Sequence, residues 1–222
     1  KAFLDFLLKE VMPVVKKENL AEFCDIFCEE GVFSVDESRQ YLKKAREMGF
    51  KLKIHADEIV SLGGSELAGE LKATSADHLL HASDAGIKAM AENGVVSTLL
   101  PTTAFCLREP FARAREMIDA GCAVALATDF NPGSGFTFSV PLMLGLAVIY
   151  MHMTAEEAIT ALTLNGAAAV GRADRIGSIE VGKQADLTIL QYPSYKFLPY
   201  HTGVNIVEKV IKKGELVHTA SV

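Results

Sequence analysis

His55, His78 and Asp129 are the residues whose type and placement could do chemistry. His55 lies near the end of an apolar stretch, 51–56, and is followed by Asp57 and Glu58. His78 falls in the next apolar stretch, with Asp77 before it and His81 three positions on. Asp129 closes the stretch 122–128 and runs into Asn131, Pro132, Gly133, Ser134 and Gly135. Imidazole and carboxylate together suit a divalent metal that keeps an open position for water. Water on such a metal has its pKa lowered to about 7 and becomes a nucleophile at neutral pH. A single His at a strand end is more often an ordinary hydrogen-bonded residue. Here three separate strand ends deliver such groups. His81, His152, His201 and His218 read as surface or hydrogen-bonded side chains. No Walker loop, G-x-G-x-x-G or G-x-S-x-G occurs, so nucleotide-phosphate and serine-triad readings have no support.

Short apolar strands alternating with helices must position these groups. Strands are expected at 23–28, 52–56, 77–81, 95–100 and 123–128. Helices are expected at 36–48, 66–73, 85–92 and 110–120. Ser34 with Glu37 forms a possible capping box, and Gly49, Asn93–Gly94 and Gly121 are stop signals. The strands are apolar on both faces, which argues for a parallel sheet with right-handed crossovers. A closed eight-unit barrel needs about 250 residues. Five β-α units are therefore an open doubly wound sheet or the later part of a (β/α)8 barrel. In a barrel the active site lies at the C-terminal strand ends, where His55, His78 and Asp129 fall. Beyond residue 150, Thr154 and Glu157 make a second possible capping box for an Ala-rich helix over 154–170. From Gly177 the pattern alternates with period two, and 207–217 reads as a hairpin turning at Lys213–Gly214, so a small β unit follows the α/β part.

Composition bounds the class. Half of the 222 residues are hydrophobic and 23% are charged, enough for a buried core and too apolar for disorder. The net charge of −6 comes with no basic run, which speaks against nucleic acid as a partner. A mean hydropathy of +0.23 raises the question of a membrane span. The charge-free stretch 130–155 opens on an Asn-Pro-Gly-Ser-Gly turn, and Pro141 and His152 bound the rest. Its apolar middle, 140–151, is far short of the roughly 20 residues a span needs, and reads as a buried helix. The apolar start at 1–20 is broken by Asp5, Lys9 and Glu10 and is no signal peptide. It opens mid-pattern without a cap, as a chain cut from something longer would. Cys24, Cys28, Cys106 and Cys122 form no C-x-x-C pair, and no glycosylation site occurs, so reduced thiols in a cytoplasm are expected.

The residues resemble the amidohydrolase superfamily, metal-dependent hydrolases on a (β/α)8 barrel with a small β domain. Gly-Ser-Ile-Glu-Val-Gly-Lys-Gln-Ala-Asp-Leu at 177–187 is similar to the return of that superfamily into its β domain. The segments 25–33, 55–58 (His-Ala-Asp-Glu), 75–79 (Ser-Ala-Asp-His-Leu), 127–134 (Ala-Thr-Asp-Phe-Asn-Pro-Gly-Ser) and 200–205 (Tyr-His-Thr-Gly-Val-Asn) look more specifically like the imidazolonepropionase family.

The resemblance implies a (β/α)8 TIM-barrel portion over 1–176 and part of a β-sandwich domain over 177–222. It implies hydrolysis of 4-imidazolone-5-propanoate to N-formimidoyl-L-glutamate in histidine catabolism, on one divalent metal, zinc or iron. His55 and Asp129 would be metal ligands, and Asp129 would also pass a proton to the leaving nitrogen. Glu58 would bond the ring or the attacking water, and His78 would orient or deprotonate that water. Asn131, Gly133 and Ser134 would hold the propionate tail; a Gly-rich turn offers N–H groups to an anion. A homodimer is implied for the intact enzyme. The family's His-x-His pair is absent from these residues, as are its early substrate-binding Arg and Tyr. Such a chain is expected to lack ligands for a catalytic metal, to be inactive alone, and to associate through exposed strand edges. Another amidohydrolase, such as a deaminase or cyclic amidase, or a non-catalytic module are the competing readings.

Overall fold

A computed structural model describes residues 2–220. The chain falls into two compact units. The first comprises residues up to Thr98 together with Glu116–Ala123, and the second Leu99–Arg115 together with Val124 onward.

In the first unit, Leu4, Leu8 and Met12 recur every four residues and give the opening helices one buried stripe. Ala2–Phe6 and Met12–Lys17 are α-helical, and Leu7–Val11 between them is a π-helical turn. Pro13 accounts for the turn: it has no N–H to give the carbonyl four residues back, so the ladder shifts there.

Strands β1 (Phe23–Cys24), β2 (Phe27–Cys28), β3 (Lys51–Ala56), β4 (Ser75–His78) and β5 (Val96–Leu99) follow. Their pairing is parallel, in the order β1-β3-β4-β5, with β2 continuing alongside β3. The run expected at 23–28 is thus interrupted at Asp25–Ile26. One register nevertheless runs through both pieces: Phe23 pairs with Lys51 and Phe27 with His55. Helix Val35–Glu47 opens on a complete capping box. The Glu37 N–H donates to Ser34 Oγ at 3.3 Å, and the Ser34 N–H to Glu37 Oε2 at 3.1 Å. Helices Gly64–Glu70 and Asp84–Asn93 are the next crossovers. They pack so closely that a Cβ on Gly69 would lie 2.7 Å from the Ala89 backbone.

The second unit holds β6 (Val124–Leu126) and the helices Pro101–Leu107, Val140–Tyr150, Ala155–Leu162 and Leu164–Ala169. Val140–Tyr150 buries Met143 to Ala147, as a core helix should. Among the described residues no helix is long and apolar enough to cross a membrane. The helix expected over 154–170 keeps its capping box at Thr154 and Glu157 but breaks at Thr163, whose hydroxyl bonds back to the Ile159 carbonyl at 2.7 Å. The helix expected at 110–120 shortens to Ala114–Asp119, because Phe111 leaves helical geometry to stack on Tyr150.

The period-two stretch from 177 is strand only at β7 (Leu187–Leu190). Gly177 and Gly182 turn the chain at positive φ, and Ile179 and Val181 stay exposed, so the alternation buries no face there. At Gly177 a Cβ would stand 2.8 Å from the Ala167 Cβ, so the close approach and the φ of 96° both require glycine. β8 (Val207–Lys212) and β9 (Glu215–Thr219) form the antiparallel hairpin through Lys213–Gly214, giving the order β7-β8-β9. Asp186 Oδ1 accepts the Lys213 N–H at 2.8 Å and fixes that turn.

Candidate active site

The C-terminal ends of β3 and β4 bring His55, Glu58 and His78 together in the first unit. His55 Nδ1 lies 2.7 Å from Asp25 Oδ2, a residue at the interruption between β1 and β2. Burial alone would pull the His55 imidazolium pKa down. The Asp25 contact, with the charges of Asp25, Asp77 and Glu58, outweighs it and raises the pKa. The His55 and His78 rings lie 5.2 Å apart. His78 is 3% exposed, sits in left-handed backbone at φ 76°, and places Nδ1 3.4 Å from Glu58 Oε1. Such backbone in a non-glycine residue costs about 1–3 kcal/mol, and it is concentrated at functional sites. Asp77, paired in register with His55, accepts from Ser75 Oγ at 2.9 Å, with Lys53 Nζ at 4.0 Å. Burial pushes the Asp77 carboxyl pKa up against the pull of Lys53 and His55.

Two buried carboxylates shape the loop that carries Glu58. Asp57, fully buried at φ 50°, accepts the N–H groups of Leu62, Gly63 and Gly64 on Oδ1, each at 3.0 Å. Its Oδ2 takes the Ser65 N–H at 2.9 Å and the Ser65 hydroxyl at 2.5 Å. Glu29, 1% exposed at the end of β2, takes the N–H groups of Glu58 and Ile59 at 2.9 Å. Sequence reasoning misses both residues, because their partners are backbone N–H groups that leave no side-chain pattern.

In the second unit Asp129 follows β6, also in left-handed backbone at φ 50°. Thr103 Oγ1 donates to Asp129 Oδ2 at 2.7 Å, and Ser134 Oγ lies 3.3 Å from the same oxygen. Asn131 closes the turn that follows. Its Nδ2 donates to the Asp129 carbonyl at 2.9 Å and to Ser134 Oγ at 2.8 Å. Its Oδ1 accepts the N–H groups of Gly133 at 2.8 Å and Ser134 at 2.9 Å. The turn's N–H groups therefore already have an acceptor inside the turn. Asp25 and Thr103, which hold His55 and Asp129 in place, carried no signal in the sequence beyond their residue type.

Among the described residues no group of three or more His, Cys, Asp and Glu could by itself hold a metal ion. What is present fits as part of a donor set. With Nδ1 against a carboxylate, the other nitrogen of His55 keeps a lone pair for a cation, the arrangement usual for metal-bound imidazoles. Asp129 is similarly oriented by Thr103.

The family model for the Amidohydrolase family matches residues 27–217. The chain is 70% identical over 219 residues to an imidazolonepropionase of Clostridium tetani, covering 99% of this chain and 52% of that protein. It is 64% identical over 214 residues to an imidazolonepropionase of Parabacteroides distasonis, covering 96% and 51%. The chain thus spans about half the length of the curated relatives it matches. Among solved structures, a zinc-bound adenosine deaminase from Xanthomonas campestris matches with a TM-score of 0.71 at 24% identity, over 83% of this chain and 49% of that one. Atrazine chlorohydrolase TrzN from Arthrobacter aurescens, complexed with zinc and atraton, matches with a TM-score of 0.75 at 17% identity, over 96% and 55%. These two likenesses are of fold.

Proposed function

The chain belongs to the amidohydrolase family, and from that premise we propose that it is the later half of a hydrolase that opens the ring of 4-imidazolone-5-propanoate to N-formimidoyl-L-glutamate. The observation that carries this reading is the 70% identity to an imidazolonepropionase over nearly the whole chain. On this reading residues 1–176 are a segment of a (β/α)8 barrel and 177–222 part of its β domain. The intact protein works in the cytoplasm as a homodimer on a small-molecule substrate, with neither nucleic acid nor membrane as partner.

The reaction adds water across the ring amide: the hydroxyl joins the carbonyl carbon, the C–N bond breaks, and a proton passes to the ring nitrogen. His55 and Asp129 are the two donors this chain offers to one divalent ion, zinc or iron, completed by ligands outside these residues. When bound, such an ion supplies Lewis-acid polarisation and acidifies water. His78, buried beside Glu58, orients the attacking water and accepts its proton. Glu58 bonds the ring or that water. Asp129 carries a proton to the leaving nitrogen. Asn131, Gly133 and Ser134 hold the propionate, which takes the two turn N–H groups over from Asn131 Oδ1.

Full-length protein is expected to consume imidazolonepropanoate in preference to adenine-like or dihydropyrimidine-like rings, and His55→Ala or Asp129→Asn to abolish turnover. Either variant acting at the wild-type rate refutes these assignments.

A further inference from the structure

We propose that Glu29 is the positioning residue for Glu58, and that its carboxylate, rather than its bulk, sets where Glu58 points. The inference rests on the reading above that Glu58 touches the reacting molecule or its water. Cys28 pairs with Ala56, which brings Glu29, the next residue, level with the start of the loop after β3. Glu29 Oε2 accepts the N–H groups of Glu58 and Ile59, both at 2.9 Å. Oε1 accepts the Glu30 N–H at 2.9 Å and faces the Val60 N–H at 3.4 Å. Three consecutive N–H groups, 58 to 60, therefore converge on one buried anion, a geometry in which charge-assisted bonds are shorter and stronger than neutral ones.

The chemistry of the group is selective. A carboxylate has two acceptor oxygens and no hydrogen. A glutamine of the same size has one acceptor, and its NH2 would meet an N–H donor head-on. With Asp57 gripping 62–65 from the other side, the loop is held at both ends, and Glu58 is left to face His78 at 3.4 Å. A purely structural role for Glu29 would lower stability and leave the catalytic contribution of Glu58 intact. A positioning role acts only through Glu58, and the two are separable by a double-mutant cycle.

The test uses full-length protein and imidazolonepropanoate, with wild type, Glu29→Gln, Glu58→Gln and the double variant. Displacing a reacting group by an ångström can cost about 100-fold, so E29Q is expected to lower kcat by that order. Added to E58Q, it is expected to cost no more than about twofold further. A wild-type kcat for E29Q, or losses that multiply in the double variant, overturns the proposal. If E29Q does not fold, Glu29→Asp enters the same cycle, keeping the charge one methylene short, with a smaller loss that again disappears in the E58Q background. Amide exchange reads the same device without substrate. The N–H groups of 58–60, and that of Glu30, which shares the same carboxylate, should exchange about tenfold faster in either Glu29 variant, with other protected amides unchanged. Should wild-type protein leave imidazolonepropanoate intact, the proposed reaction fails, and exchange alone then decides Glu29: undisturbed protection at 58–60 overturns the proposal.

Discussion

Asp25 Oδ2 stands 2.7 Å from His55 Nδ1, so a residue in the gap between two short strands fixes the ring on the neighbouring strand. Carboxylates behind metal-bound imidazoles typically contribute 10–100-fold in metal affinity. Asp25→Asn in full-length protein is therefore expected to weaken metal retention by about that factor. Dialysis against a graded chelator series with metal analysis measures it. Retention equal to wild type would remove Asp25 from the support of His55.

Ser34 closes the capping box of helix Val35–Glu47. Replacing it with Ala strands the N–H of Glu37 and removes the hydroxyl bond to its carboxylate, while the backbone N–H of residue 34 still donates to Oε2. The expected cost is about 1 kcal/mol, read as a lower urea midpoint with unchanged slope.

Gly69 separates two effects of opposite sign. Ala in a helix interior is favoured over Gly by about 1 kcal/mol. Here the new methyl would sit 2.7 Å from the Ala89 backbone, which cannot swing away as a side chain can. Overpacking costs about 1–3 kcal/mol, so the clash wins and Gly69→Ala is expected to destabilise. A rise in melting temperature would show that the two helices part without penalty.

Arg115 grips Glu157 through two parallel bonds of 2.9 Å and holds its carboxyl pKa at about 2, below the ordinary 4.5. A depressed carboxylate pKa contributes stability that is full above the unfolded value and is lost as pH falls through the folded one. The stability gap between wild type and Arg115→Met should accordingly be constant near neutrality, shrink below pH 4.5 and vanish towards pH 2. Urea midpoints across that range test the sign; a gap that widens in acid contradicts it.

The alternation of strand and helix, both capping boxes and the turn at Lys213–Gly214 were legible because each is written in local residue types. His55, His78 and Asp129 were legible as strand-end groups for the same reason. The break at Thr163 was not, since a threonine inside an alanine-rich run looks helical until its hydroxyl takes the Ile159 carbonyl. Helix Pro101–Leu107 also went unread. It starts directly after β5 on Pro101, in the first turn, where the missing N–H costs nothing. Ile179 and Val181 mimicked a strand although they meet solvent. Glu29 and Asp57 were hidden for a different reason. They sit among acidic neighbours that look solvated, and only the folded chain shows N–H groups aimed at them.

Asp57 has a last consequence. Four amides and a hydroxyl from 62–65 are already committed to its two oxygens. Ordering a floppy segment on ligand capture costs conformational entropy, commonly about 1–2 kcal/mol per backbone residue. Here that ordering is completed during folding, so if the substrate binds beside Glu58 as proposed, it meets a wall already set and keeps more of its contact energy as affinity.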